Sequence, residues 1–252
     1  PQDILKAAQP RTDENGKPLQ GVKVDSMLAC YTLTAGKMSV TISRTTGALD
    51  YVDVEGEPLL QDGYSVTPNF WRAPTDNDYG ANLQKKFSLW KNPQKKLKSV
   101  TCHPAENAYV VRVVYELPEL KAELSHTYTL DVKGELIINQ HLNADEHQKN
   151  MPHLFRFGMQ WVLPADFVEI SYCGRGPIEN YRDRNNAQRL GFYTQSVADQ
   201  YWNYVRPQES GNRMDCQYVT LSDGSVTETT LYFKEPLQAG DLRIVKGSIN
   251  NQ

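Results

Sequence analysis

Apolar and polar residues alternate with a period of two along much of this 252-residue chain. The alternation is clear in Lys37–Arg44, Tyr109–Leu117, Ala122–Leu130 and Phe155–Leu163. Such a pattern places one face of a strand on a core and the other in solvent, as antiparallel sheets do. Because strands do not alternate with long helical segments, a parallel sheet is not expected. The pattern predicts an all-β fold, a large antiparallel β-sandwich.

Two short segments have helical character. Leu83, Phe87 and Trp90 recur at the i, i+4, i+7 spacing of one helix face within Asn82–Lys91. Ser196–Tyr204 is a second, weaker candidate. We therefore expect one or two short helices beside the strands.

Composition excludes several kinds of partner. Hydrophobic residues make up 39 % of the chain and charged residues 23 %, which is enough for a packed core. The net charge of −3, from 27 basic and 30 acidic residues, argues against a nucleic-acid partner. No apolar run approaches the roughly 20 residues that span a membrane, so no membrane partner is expected.

The chain divides into an arm and one large domain. Residues 1–24 are rich in Pro, Gly, Gln and charge, which predicts a linker from a preceding domain, and residues 25–252 form the predicted β-sandwich. We expect that the carboxy-terminal end of this domain is incomplete in this sequence. The polar start at Pro1 has no signal peptide, so a signal that decides between cytoplasm and periplasm would lie upstream.

Four cysteines are spread along the chain without the close spacing of a zinc site. Free buried thiols are the simplest interpretation of this spacing. The four residues are Cys30, Cys102, Cys173 and Cys216.

Three polar clusters are candidates for a functional site. Phe70–Gly80 contains Asp-Asn-Asp, which predicts either a sugar or cation site or, as we favour, an Asx-turn cluster with Arg72 paired to an aspartate. Gly174–Arg184 fits a pocket rim and an ion-paired surface loop equally well. Tyr201–Arg213 combines aromatic rings with amides and charges, which suits sugars but is also ordinary at the edge of a core.

No catalytic pair can be selected from these clusters. Glycoside hydrolysis needs two carboxyl groups roughly 5 Å apart for retention or 6.5–9.5 Å for inversion. Asp76, Asp78, Glu179 and Asp183 offer carboxylates, and their spacing favours none of the pairs. A cation between Asp76 and Asp78 lacks further visible ligands. His126 lies on an apolar strand face, where histidine is usually a hydrogen-bonded core residue.

In this order, the clusters resemble the small-chain domain of family 2 β-galactosidases. The resemblance covers about residues 25–222, and the last strands, from about Glu228, match it poorly. The matching segments are Thr45–Leu49, Asn69–Asp78, Phe155–Gly158, Gly174–Asp183 and Tyr204–Asn212.

The resemblance implies a galactose-mutarotase-like supersandwich that follows a (β/α)₈ barrel and an immunoglobulin-like domain. It implies retaining hydrolysis of terminal β-D-galactosides by a homo-oligomeric parent enzyme, with the catalytic glutamates in the barrel. This domain would complete the active-site wall and support assembly, and no catalytic residue is carried over to it. Magnesium and sodium would also belong to the barrel, so no cofactor and no metal is expected in this chain.

The resemblance also assigns residues to the wall of the site. The substrate-proximal loop would be Asp76, Asn77, Asp78, Tyr79 and Gly80, with Gly80 as its hinge. The tail Lys246–Gln252 lacks the glycine-rich tryptophan segment of the family. Residues with a pocket-rim or structural role would be Arg72, Arg175, Glu179, Asn180, Arg182, Asp183, Glu209 and Asn212. Of these, Arg72 and Arg175 are expected to hold loops through carboxylates or carbonyls.

Two other functions stay open. A stand-alone aldose mutarotase needs a histidine acid and a carboxylate base, for which His126 or His141 with Glu179 are the candidates. A carbohydrate-binding module would use the aromatic residues to bind glycans without turnover.

Overall fold

The computed structural model describes residues 21–144, 151–224, 228–232 and 242–243. Its residues fall into two compact units. The first unit draws on Pro1–Thr67 and Pro93–Lys149, and the second on Pro68–Asn92 and Asn150–Gln252. Most of the predicted arm at 1–24, and the tail at 246–252, lie outside the described residues.

The first unit contains two antiparallel sheets, with strands numbered in chain order. The five-stranded sheet has the order β1-β2-β3-β4-β5 and the four-stranded sheet the order β10-β9-β8-β7. The strands of the first are β1 (Lys23–Ser26), β2 (Cys30–Ala35), β3 (Met38–Ser43), β4 (Leu49–Val54) and β5 (Glu57–Pro58). Those of the second are β7 (Lys96–Ala105), β8 (Ala108–Leu117), β9 (Ala122–Asp131) and β10 (Leu136–Ala144).

Alternate residues of these strands form the core of the first unit. In β9 every second residue from Ala122 to Leu130 is buried, as the period-two pattern predicts. The hydroxyl of Tyr115 on β8 donates a 2.9 Å hydrogen bond to the carbonyl of Thr46 in the β3–β4 turn, which links the two sheets. The antiparallel all-β prediction is confirmed, and so are the predicted strands at β3, β8 and β9.

The second unit is built on a four-stranded antiparallel sheet in the order β13-β12-β15-β16. Its strands are β12 (Glu169–Gly176), β13 (Arg189–Ser196), β15 (Tyr218–Ser222) and β16 (Glu228–Tyr232). Two-stranded sheets are formed by β6 (Thr67–Asn69) with β11 (Gly158–Gln160), and by β14 (Asn212–Arg213) with β17 (Leu242–Arg243). One core cluster contains Ile170, Tyr172, Val197, Cys216, Val219 and Leu221.

The predicted helix at Asn82–Lys91 is broken into two pieces, α2 (Leu83–Lys86) and a 3₁₀ helix at Ser88–Trp90. The break lets Phe87 contact the ring of Phe155, while the indole N–H of Trp90 donates to the carbonyl of Pro152 at 2.8 Å. These tertiary contacts outweigh the weak local preference of a short helix.

Two further segments differ from the sequence predictions. The strand expected over Phe155–Leu163 is reduced to β11, because the side chains before it turn toward other segments: Phe155 packs against Trp71, and Arg156 pairs with Glu209. The candidate helix at Ser196–Tyr204 contains only a 3₁₀ turn at Ala198–Gln200.

The predicted free thiols are confirmed for all four cysteines, but only Cys216 is buried. The other three are partly exposed, which corrects the expectation that all four lie in the core. Within the described residues, no helix has the length and apolar character needed to cross a membrane.

Candidate functional site

An open cleft of about 880 Å³ in the second unit brings the polar clusters together. Segment 154–157 also contributes to its wall. Clusters that are more than 100 residues apart in sequence therefore meet at one place. The lining residues are Arg72, Thr75, Asp76, Asn77, Asp78, Leu154, Phe155, Arg156, Phe157, Tyr181, Arg182, Asp183, Arg184, Gln208 and Met214.

One wall of the cleft is a short helix, α1 (Asp76–Gly80), where the sequence predicted a loop. The Thr75 side chain accepts from the backbone N–H of Asp78, and the Asp78 carboxylate accepts from the N–H of Thr75, forming a capping box. Arg72 donates to the same carboxylate at 2.9 Å. The predicted pairing of Arg72 with an aspartate is confirmed, and Asp78 is buried by these contacts.

Gly80, the expected hinge, is the last residue of α1 and does not have a positive φ. The left-handed conformation occurs two residues later, at Asn82 with φ 59°. Asparagine tolerates this region better than most residues because its short amide bonds locally. The change of chain direction after α1 is therefore made at Asn82.

Glu209 joins three distant segments behind the cleft. Its carboxylate accepts a hydrogen bond from Arg156 at 2.7 Å and another from the backbone N–H of Ala73 at 3.2 Å. The neighbouring Gln208 side chain accepts from the N–H of Asp76 at 3.4 Å. Residues 208 and 209 thus fix the chain immediately before α1 and its first residue.

Glu179 performs a similar task between the second and third clusters. Its carboxylate accepts from the backbone N–H of Gly211 at 2.5 Å, from Arg184 at 3.1 Å and from the Tyr204 hydroxyl. Burial, followed by the hydrogen bond to Glu179, raises the pKa of the Tyr204 phenol. The proton therefore stays on Tyr204, and Glu179 is held as a structural acceptor.

Asn180 and Asn212 are both fully buried and join the same two segments. The Asn212 amide donates to the carbonyl of Asn180 at 2.7 Å, and the Asn180 side chain accepts from the N–H of Met214 at 3.0 Å. Arg175 pairs with Asp215 and donates to the carbonyl of Gln188 at 3.0 Å. Arg175 thus makes the carboxylate and carbonyl contacts expected of it, and its loop-holding role stays a prediction.

The residues proposed from the sequence thus separate into two groups. Six line the cleft: Arg72, Asp76, Asn77, Asp78, Arg182 and Asp183. Seven do not line it: Tyr79, Gly80, Arg175, Glu179, Asn180, Glu209 and Asn212. Arg156 and Phe157 also line the cleft but were not predicted as site residues. A charged residue within the apolar face of a predicted strand was the signal that could have indicated Arg156.

The carboxylates at the cleft are mostly engaged. Asp78 pairs with Arg72, and Asp76 pairs with Arg206 at 3.0 Å. Asp183 is exposed on the lining. Across the described ranges, no group of three or more His, Cys, Asp or Glu side chains is placed to hold a metal ion, so the cation considered between Asp76 and Asp78 finds no ligand set.

His126 lies in the core of the first unit, as predicted. Its ring nitrogens bond Gln140 at 3.0 Å and the Tyr128 hydroxyl at 3.2 Å. Burial lowers the pKa of His126 to about 4, and the charge of Lys95 acts in the same direction. A neutral histidine with both nitrogens occupied does not suit the acid role of a mutarotase.

A family model described as the β-galactosidase small chain matches residues 34–243. The chain belongs to the β-galactosidase small-chain family. The match extends beyond Glu228 to residue 243, which corrects the expectation that the last strands fit the family poorly.

Individual β-galactosidases show the same relationship. The chain is 33 % identical over 202 residues to the β-galactosidase of Priestia megaterium (strain DSM 319 / IMG 1521), covering 79 % of this chain and 19 % of that protein. It is 35 % identical over 157 residues to the β-galactosidase of Lactobacillus delbrueckii subsp. bulgaricus, covering 61 % of this chain and 15 % of that protein. The chain therefore spans less than a fifth of the length of these curated relatives.

Proposed function

We propose that this small-chain domain works within a longer β-galactosidase that hydrolyses terminal β-D-galactosides with retention. The observation that carries the proposal is the cleft of the second unit, because four of the five segments that resemble the family contribute residues to its lining. In this account the domain completes the wall of the galactoside site and supports assembly of a homo-oligomer. Residues 1–24 connect it to a preceding immunoglobulin-like domain.

The chemistry of the cleft is consistent with a wall and not with a complete catalytic site. Retaining hydrolysis needs a nucleophile and an acid/base carboxyl on one scaffold. Asp76, Asp78 and Glu179 are instead engaged by arginines and backbone N–H groups. We assign the catalytic glutamates to a barrel domain of the longer protein.

The magnesium and sodium ions implied by the resemblance are assigned to the same barrel. The described part of this chain offers no ligand group for them. The contribution of this chain is to shape the cleft, exclude water and present polar groups at its surface.

The test uses the longer enzyme with a substitution at an exposed lining residue. Asp183→Asn is expected to lower kcat/KM for nitrophenyl β-galactoside by about tenfold, the effect of one lost charged contact. Glu55→Gln removes an exposed ion pair of the first unit and serves as the control. Unchanged kcat/KM in Asp183→Asn would count against the wall role, and α-galactose as first product by NMR would count against retention.

The mutarotase alternative receives no support from the structure. His126 is buried with both nitrogens bonded, and His141 is exposed on β10 of the first unit. Glu179 accepts hydrogen bonds from three separate groups. Polarimetry on fresh α-galactose separates the two functions, since a mutarotase accelerates the optical change and this chain is expected to leave its rate unchanged.

A further inference from the structure

Residues 201–206 form a segment, here called the aromatic rim, in which three large apolar side chains are at least half exposed. Tyr201 is 50 % exposed, Trp202 52 % and Val205 108 %. Large apolar side chains are seldom left in solvent together without a binding role. The rim is not needed for the described core of the second unit, which is formed by other residues.

Two residues of the rim, Tyr204 and Arg206, hold it to the cleft. The Tyr204 hydroxyl donates to Glu179, and the Arg184 guanidinium lies 5.6 Å from the centre of the Tyr204 ring. On the other side, Arg206 pairs with Asp76 at 3.0 Å and lies over the ring of Tyr79. Asp76 and Arg184 both line the cleft, so the rim borders it.

This anchoring restrains the backbone that carries Trp202. The N–H of Tyr204 also donates to the carbonyl of Trp202 at 3.1 Å, closing a tight turn. A surface that is already ordered loses less conformational entropy when a ligand binds. The exposed rings therefore lie on a segment whose backbone is held before any ligand binds.

The size of the apolar surface decides which kind of ligand suits it. An aromatic side chain buries about 150–250 Å² at most, and Tyr201 and Trp202 are already half-buried. A stable protein interface buries roughly 1,000 Å² or more and has few charges at its centre. Exposed Asn203 and Arg206 interrupt this small patch. The surface matches one or two sugar rings.

We propose that Tyr201 and Trp202 form a binding subsite for a pyranose ring of a β-galactoside at the border of the cleft. The apolar C–H face of the sugar would stack on the aromatic rings, with hydroxyl groups toward polar residues such as the neighbouring, exposed Asn203. The choice of a galactoside as ligand rests on the proposed function. The subsite itself requires only this chain.

The experiment is calorimetric titration of the chain with lactose and with methyl β-D-galactoside. The wild-type chain is expected to bind with a Kd of about 1–10 mM, and Trp202→Ala to weaken binding by about tenfold or more. Tyr201→Ala should weaken it in the same direction. Phe192→Ala removes another exposed ring, on β13 of the same unit, and should leave the Kd unchanged.

Two results would overturn the subsite. One is the absence of binding heat with the folded wild-type chain up to about 100 mM sugar, roughly ten times the weakest expected Kd. The rim would then be a contact for another part of the longer protein. The other is equal affinity in wild type and Trp202→Ala. Neither result bears on the kinetics of Asp183→Asn in the longer enzyme, so failure of this inference is distinguishable from failure of the proposed function.

Discussion

Arg156 donates a 2.7 Å hydrogen bond to Glu209, whose side chain is fully buried while that of Arg156 is 11 % exposed. Glu209 also accepts from the N–H of Ala73, which lies 136 residues away in sequence. This ion pair therefore connects three segments that are remote in the chain. Because the pair is buried, its loss should cost more stability than the loss of an exposed ion pair.

Glu209→Gln is expected to lower the free energy of unfolding by about 3 kcal/mol, because the near-isosteric change leaves the Arg156 cation buried without its counter-charge. Asp76→Asn breaks the ion pair with Arg206, in which the two side chains are 59 % and 65 % exposed. That loss should be about 1 kcal/mol or less. Urea denaturation of both variants measures the difference, and equal losses would contradict the assigned importance of the buried pair.

Arg72→Lys is expected to reduce stability while the Michaelis constant of the longer enzyme stays near its original value. The planar guanidinium bonds Asp78 and lies 5.2 Å from the ring centre of Phe155, and lysine cannot reproduce both contacts. Arg112→Lys, at an exposed position of β8, is the matched control and should change stability by no more than about 0.5 kcal/mol. A clear rise in KM with an unchanged unfolding midpoint would show that Arg72 contacts substrate.

Alanine substitutions at three glycines distinguish the cost of a steric clash from the cost of backbone strain. At Gly47, with φ 74°, an added Cβ would lie 2.4 Å from both the Tyr115 hydroxyl and Val113, so Gly47→Ala should cost about 3 kcal/mol or more. Gly56 has φ 88° with no atom within 4 Å, so Gly56→Ala should cost about 1–2 kcal/mol from strain alone.

Gly80 has neither a positive φ nor a neighbour within 4 Å, and Gly80→Ala should be neutral or slightly stabilising in its helix. The expected ranking of the free-energy losses is Gly47, Gly56, Gly80, measured by chemical denaturation of the three alanine variants. A loss at Gly80 as large as that at Gly56 would show that residue 80 needs the glycine backbone.

The stability of the chain should fall between pH 6.5 and about 4 because of His126. Its folded-state pKa of about 4 is below the unfolded value of 6.5, so the unfolded state binds the proton first as the pH falls. The stabilisation is complete above pH 6.5 and is lost toward pH 4, by up to about 3 kcal/mol. Denaturation curves at pH 7.5, 6.5, 5.5 and 4.5 measure it. His126→Gln should flatten the dependence, and an unchanged slope would rule out His126 as its source.

The elements that the sequence predicted well are those whose burial is decided strand by strand. β8 and β9 could be predicted because alternate side chains along each strand enter the core. This alternation can be read from each strand's own sequence. The sequence predicted a continuous helix at 82–91. Its interruption could not be foreseen, because it accompanies a contact between Trp90 and Pro152, which are 62 residues apart in sequence. Local periodicity contains no information about such a contact.

Six of the thirteen residues proposed from the sequence line the cleft, and the arrangement of the site could not be predicted. Turn-forming and charged residues identified the clusters around Asp78 and Glu179, because such residues are rare inside strands. Long-range packing decides that Glu209 accepts a hydrogen bond from the N–H of Ala73. It also decides that Asn82, and not Gly80, has the positive φ. The same is true of Arg156, whose partner lies 53 residues away.

Hydrolysis of nitrophenyl β-galactoside by the purified chain, assayed beside the longer enzyme, tests whether this chain has a catalytic pair of its own. We expect no turnover by the chain alone, since the carboxylates of Asp76, Asp78 and Glu179 are engaged in structural contacts, and ready turnover by the longer enzyme. Turnover by the chain that survives repurification, and is abolished by Asp76→Asn or Glu179→Gln, would contradict the account.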